Sequence, residues 1–501
     1  MKKAEKLWDL IRTMSTSERR YFKLYATRHV IGQKNNYLLL FDLYCDLDEF
    51  NPEVIKAGVE AEGLSTRHLA SDKNYLYQMI LKGLMAYHSE ASIGLRVKEC
   101  LLQVDILYER GLYDQALAIL KRAKELAKPY DLYPLLLEIS QWERKILMQK
   151  KANSLIVESL DEAAGYLAHL DNMQGYLRLY YRMLGLFQRI PLARREEEQQ
   201  EWEAFMQHPF LQYDYIPLSF QARMHYWRIY AAYYQATAQL EEEGESLARQ
   251  LELIRSNLNY AQEFPFDYLS TYARWLLMLR GQEDGSLDWA LEELNDFPRG
   301  LKKGRRYVEK RVERIVRLVQ IKRLTVEGCF LKAVSIEPYV EDLLVPHDKS
   351  FSQEEKFSYV LLKGYSFLMS QQPSKVVSLV NLAWDYFDPK SFPLKQSLLR
   401  LLNLMAHYEL GNFTHLEYAI ASSKRYLKKQ DRLYETEACM LRYLNRAIGL
   451  APGDEGKRKR FFEKWEQALS KILADPFEKG ALDYLDVLDW VRSQGSVSVK
   501  K

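Results

Sequence analysis

Apolar residues recur every three or four positions along most of the chain, and the stretch 100–129, CLLQVDILYERGLYDQALAILKRAKELAKP, shows the pattern most clearly. Leu101, Val104, Leu107 and Tyr108 fall at helical spacing and make one apolar stripe. Gly111 stands where that stripe stops, and glycine enters positive φ at least cost, so the first helix ends there. Beyond it Ala116, Leu120, Ala123 and Ala127 share a second face, made small enough by alanine to approach the first helix closely. Lys121, Arg122 and Lys124 are left for solvent, and Pro129 follows the last periodic residue. The pattern predicts a helical hairpin.

From Leu95 onward helical stretches follow in pairs, separated by short breaks at Gly111, 150–153, 190–191, Glu243 and Gly244, 281–285, Gly328, 371–373 and Gly411. A spacing of about 40 residues lies within the range of helical-hairpin repeats. Alternating β-branched runs between turn residues are nearly absent, so an all-α chain is expected. Leu107, Gly111, Tyr113, Ala116, Leu120 and Ala123 stand at the intervals of the tetratricopeptide repeat, which this stretch resembles; Cys100 and Val104 replace that family's usual early Trp and first Gly. Fainter copies occur at Gly328, Phe330 and Ala333 and at Gly411 and Phe413, with a different subset at Gly364, Phe367, Val376, Val380 and Ala383. The resemblance implies a right-handed superhelical array of antiparallel hairpins, with a long concave groove for a protein or peptide. Some members of that family grip a peptide's terminal carboxylate with Lys and Asn. The corresponding positions here hold Leu101 and Asp105, so that clamp does not carry over.

Residues 1–92 have a different texture and predict a helical N-terminal module. Leu7, Trp8, Leu10, Ile11 and Met14 suggest a first short helix. Ser15 followed by Glu18 offers a capping box opening a second through Tyr21, Phe22 and Tyr25. Further helices fit 37–47, 52–59 and 67–88. The expected organisation is then 1–92 module, 93–280 first half of the repeats, 281–304 a hinge carrying four glycines and Pro298, 305–492 second half, and 493–501 a flexible tail.

Composition narrows the chemistry. The 71 Lys and Arg against 68 Asp and Glu leave +3, so no global charge drives binding to nucleic acid or an anionic membrane. The four cysteines form no C-x-x-C pair, and the nine histidines show no H-E-x-x-H. Gly456 and Lys457 are followed by Arg458 rather than Ser or Thr, which removes the phosphate-loop reading. Asp483, Asp486 and Asp489 adjoin Leu482, Leu485 and Leu488 on a helical wheel, and amphipathicity accounts for them. No catalytic set, cofactor or metal is expected, so the chain reads as non-enzymatic. The opening MKKAEKLWDLIRTM lacks a secretion signal's apolar core, and no run reaches the roughly 18 apolar residues that span a bilayer. The expectation is a cytoplasmic protein with no membrane partner.

Two surfaces are candidates for partner binding. Lys303, Arg306, Lys310, Arg314 and Arg317 lie within about 80° of arc on one helix, opposite Val308, Val312, Ile315 and Val319. Such a stripe suits an acidic peptide or a phosphate backbone, set against the plainer reading of a solvated face partly neutralised by Glu309 and Glu313. The second is aromatic: Tyr176 and Tyr180, then Tyr226, Tyr230 and Tyr233, interleaved with Arg178, Arg182, Arg223 and Arg228. With 35 tyrosines in the chain, packing between adjacent hairpins is the plainer reading and the favoured one. The reading that follows is a protein- or peptide-binding scaffold. Its alternative is a nucleic-acid-linked regulator, prompted by nine Lys and Arg in the first 34 residues, Arg19, Arg20 and Lys23 among them.

Overall fold

Helix starts follow local signals. The Ser15 N–H donates to Glu18 Oε2 (2.6 Å) and the Glu18 N–H to Ser15 Oγ (3.3 Å), the reciprocal pair that opens the Thr16–Thr27 helix. Ser352 and Glu355 open the Gln353–Met369 helix in the same way. The computed structural model describes residues 6–27, 36–47, 50–61, 66–88, 92–212, 215–278, 286–301, 305–337, 343–344, 351–450, 455–480 and 482–496. These form 25 α-helices, four 3₁₀ turns and no strand. None of the described helices is long and apolar enough to cross a membrane.

One turn recurs through the chain and makes the hairpins visible. Gly111 takes φ +69°; its N–H donates to Tyr108 O (2.9 Å), and the Leu112 N–H reaches back to Leu107 O (3.0 Å). This is the double closure of a Schellman cap, which satisfies the last carbonyls of the helix. The same pair of bonds, around a residue at positive φ, closes helices at Lys151, Ala238, Gly328, Gln371 and Gly411. In each case a new helix begins two residues later. Asp131 and Asp431 make the same turn between hairpins. Gly111 and Lys151, and again Gly328, Gln371 and Gly411, stand about 40 residues apart, as the periodicity requires. Five residues after the turn Ala116, Ala333, Val376 and Leu416 are all fully buried, so the packing register repeats with the turn.

Two expectations change. The turn placed at Glu243 and Gly244 lies at Ala238; Gly244 is inside the Leu240–Ser256 helix, and buried Glu243 fills the packing position by pairing with Arg274 (2.8 Å). Between the breaks at 150–153 and 190–191 runs one helix, Asn153–Arg189, rather than a hairpin. No proline lies within it, and Gly165, Gly175 and Gly185 all keep helical φ.

By Cα packing the chain divides into two units, Met1–Leu167 and Ala168–Lys501. In the first, Leu7, Ile11, Phe22, Phe41, Ile55 and Ile80 share the core of the opening helices. The Ile93–Glu109 and Tyr113–Ala127 hairpin follows, packed on Tyr133–Gln149. Lys124 ties its second helix to Glu143 (3.0 Å) and Glu162 (2.6 Å). Of the expected hinge at 281–304, residues 281–285 and 302–304 lie outside the described ones, while Ser286–Asp296 is helical.

The second unit departs from a simple stack, in which each hairpin touches only its neighbours. Arg194, just past the long helix, donates two bonds of 2.8 Å to Glu437, 243 residues on, and also pairs with Glu478. These side chains are 1%, 2% and 6% exposed. Arg195 pairs with Asp431 (2.6 Å), and the Tyr434 hydroxyl donates to Glu198 (2.7 Å). Arg194 also lies over the Tyr434 ring. Within this unit the segment after Arg189 therefore closes onto the hairpins near residue 435.

Candidate partner-binding surface

The aromatic residues singled out by the sequence meet in one place, but inside the packing. Tyr176 is fully buried, and its hydroxyl donates to Phe210 O (2.9 Å) and Tyr215 O (3.0 Å). Its ring meets Tyr226 edge-on, and Tyr226 leans on Tyr230, whose hydroxyl donates to Leu211 O (2.8 Å). Tyr180 packs on His225 and Tyr233 on Trp202. Gly175 makes room for this cluster, because a Cβ there would drive into the Phe210 ring. All four of Tyr180, Tyr226, Tyr230 and Tyr233 are partly buried against the core shared by the Asn153–Arg189 and Phe220–Ala236 helices.

The basic helix, Arg305–Val326, is distributed differently from a single solvent-facing stripe. Lys303 lies outside the described residues, as does the side chain of Arg306. Lys310 is exposed. Arg317 is partly exposed, 3.6 Å from Glu313, beside a depression of about 440 Å³ lined by Asn295, Glu309, Val312, Val316 and Gln320. Arg314 points inward and is buried. Its charge acts on Tyr359, whose hydroxyl is nevertheless pushed up by burial. The expected apolar side is buried as read, with Val308, Val312, Ile315 and Val319 almost inaccessible, but the buried arc also takes in Arg311, Leu318 and Lys322.

That wider arc reveals a set of cations the sequence reading missed. Arg311, Arg314 and Lys322 lie within about 80° of one another on this helix. The Gln353–Met369 helix packs on this one and the Pro393–Glu409 helix packs on that in turn; both are buried on nearly every side and add buried Lys356, Lys363 and Lys395. Two carboxylates answer them: Glu355 pairs with Arg311 (3.3 Å) and Glu354 with Lys395 (3.2 Å). Lys395 holds Glu354 below the usual carboxylate range, with Arg274 helping. Lys363 relies on the carbonyls of Val334 and Ile336, and burial lowers its ammonium to about 8. Lys356 donates to the Tyr386 hydroxyl (2.9 Å). Lys322 rests against the ring of Tyr484.

Nothing in local periodicity distinguishes these lysines from solvated ones, since each sits on an amphipathic helix whose second contact face is supplied by a distant element. A set in which cations outnumber carboxylates in this way attracts anions, because low-dielectric surroundings strengthen its field. Among the described residues no group of three or more His, Cys, Asp and Glu gathers where a metal ion could be held. The acidic trio near the end is structural: Asp486 Oδ1 accepts the Asp489 N–H (2.9 Å) at the start of the Val487–Ser496 helix, and Asp486 O accepts the Tyr365 hydroxyl (3.0 Å). No protein-family model, curated protein or solved structure matches this chain.

Proposed function

We propose that this chain is a non-catalytic scaffold, a right-handed superhelical array of tetratricopeptide-like hairpins that binds a protein or peptide partner. The observation that carries this reading is the recurrence of one capped turn at hairpin spacing, from Gly111 to Gly411. Hairpins that repeat one geometry stack their apolar faces and leave an extended surface, whose use is recognition. The excess of cations on the Arg305–Val326, Gln353–Met369 and Pro393–Glu409 helices favours an acidic segment of that partner.

The nucleic-acid alternative draws less support, because two of its cations are already engaged. Arg19 donates to Ile11 O (3.0 Å) and Lys23 pairs with Asp42 (2.7 Å). Affinity capture at low salt, with and without nuclease, tests the proposal. Wild type is compared with a Lys310→Glu, Arg317→Glu variant, which changes accessible charges only. A nuclease-resistant protein bound in fixed stoichiometry and weakened in the variant is the expected result. Recovery of nucleic acid alone, lost on changing Arg19, Arg20 and Lys23 to Glu, would sink the scaffold reading.

A further inference from the structure

Lys322 and Lys395 belong to different helices, yet both ammonium groups rest against one ring. Their Nζ atoms lie 5.4 and 5.2 Å from the centre of Tyr484, and each residue is only 7% exposed. The two lysines differ in what else they reach. Lys395 donates to Glu354 O, Glu354 Oε1 and Ser358 Oγ. Lys322 has no hydrogen-bond acceptor among the described residues. An ammonium carries three donors and no acceptor, and a ring face takes up none of the three as an acceptor oxygen would. With its stem packed away and no anion in reach among the described residues, Lys322 is therefore a group with unused binding capacity.

The surroundings fit an incoming ion. Of the two ammonium groups, Lys395 is paired with Glu354, and Lys322 makes no ion pair among the described residues. The place is also reachable, because the Glu354 side chain beside Lys395 is 60% exposed. Tyr484 comes from the segment that crosses these helices near the C-terminal end, held there by the Tyr365 bond to Asp486 O (3.0 Å). Its ring positions both lysines without competing for their protons.

We propose that Lys322 and Lys395, with Tyr484 as the floor between them, form a binding site for an oxyanion, a phosphate or carboxylate group. This rests on the scaffold reading only for the source of the anion, an acidic or phosphorylated group on the partner. Binding itself is measurable with a free ion.

The experiment is calorimetric titration of the full chain at pH 7.5 with inorganic phosphate, and separately with hexaglutamate, against sodium chloride at matched ionic strength. Wild type is expected to bind at least one of the two saturably. Lys322→Gln should weaken that binding at least tenfold, Tyr484→Ala should weaken it similarly, and Tyr484→Phe should restore it, circular dichroism confirming that each variant is folded. Phosphate binding without hexaglutamate binding assigns the site to phosphate groups, and the converse assigns it to carboxylates; both support the site. If wild type shows no saturable response beyond the chloride control, or Lys322→Gln and Tyr484→Ala bind as wild type does, the inference is wrong. A Lys322-dependent phosphate site in a chain that captures no protein would keep the site and remove the scaffold reading.

Discussion

Glu409 ends the Pro393–Glu409 helix with its carboxylate turned toward the last helix of the chain, where Oε1 accepts the Trp490 indole N–H (2.7 Å) and the Gln494 amide (3.1 Å). Burial pushes this carboxyl from 4.5 up to about 7, and the Trp490 bond offsets only part of that. The sign follows from linkage. Below pH 4.5 the group is protonated in folded and unfolded chains alike and costs nothing. Between 4.5 and about 7 the unfolded chain releases its proton while the folded one retains it, so stability falls, and above 7 the penalty is constant. A shift of that size corresponds to about 3 kcal/mol, reduced to about 2 kcal/mol because Glu409 is partly open to solvent. Glu409→Gln keeps a carbonyl oxygen for Trp490 and Gln494 and removes the buried charge. Hydrogen exchange of the Val487–Ser496 amides, corrected for the intrinsic pH dependence, reads the local opening equilibrium. From pH 5 to pH 8 opening should rise about 30-fold in wild type and stay flat in Glu409→Gln, the equivalent of about 2 kcal/mol. A flat wild-type profile, or a variant that follows the wild-type slope, would refute the reasoning.

Other consequences are equally direct. A Cβ at Gly111 meets nothing within 4 Å, so Gly111→Ala should lose about 1 kcal/mol through the left-handed turn alone; Ala238→Gly, relieving φ +56° in the same turn, should gain about 0.5 kcal/mol. Thermal midpoints moving in opposite directions check the pair, and a neutral Gly111→Ala would deny the shared turn. Arg194→Met leaves Glu437 and Glu478 buried without their cation and should cost about 3–5 kcal/mol in urea unfolding, an interpretation that a loss under 1 kcal/mol would exclude. Glu162 is raised by burial but lowered more by hydrogen bonds from Lys124, Tyr166 and Lys128, reaching about 2. Its contribution, about 2 kcal/mol after allowance for solvent, is complete above pH 4.5 and should vanish as pH falls toward 2; acid unfolding of Glu162→Gln should lack that component.

Much of the fold was legible because it depends on neighbours in sequence. Apolar spacing of three and four marks helices wherever it occurs, and Ser15 with Glu18 can satisfy each other only at a helix start. Gly111, Gly328 and Gly411 announce their turns because glycine is the residue that enters positive φ without strain. Lys151 and Gln371 make the same turn without glycine inside the breaks read at 150–153 and 371–373, while the one at Ala238 went unread; in all three, two backbone hydrogen bonds and the packing of both helices outweigh a modest conformational cost. Propensity along the chain carries no trace of that balance.

Tertiary structure decided where the charges went. A helix read alone has one apolar face and sends its cations to water; Arg305–Val326 is packed on more than one side, so Arg311, Arg314 and Lys322 are buried with the valines. Tyr176 belongs to an aromatic set that the sequence reads as hairpin packing or as a partner surface, and it is the centre of a cluster closed by Phe210 and Tyr215. Lys322 meets Tyr484, and Arg194 meets Glu437, across separations that no periodic pattern spans. The sequence by itself determined helices, hairpins and their spacing, because those follow from contacts within a few turns. Which polar groups became neighbours was set only when distant helices closed on one another and changed the surroundings of side chains already in place.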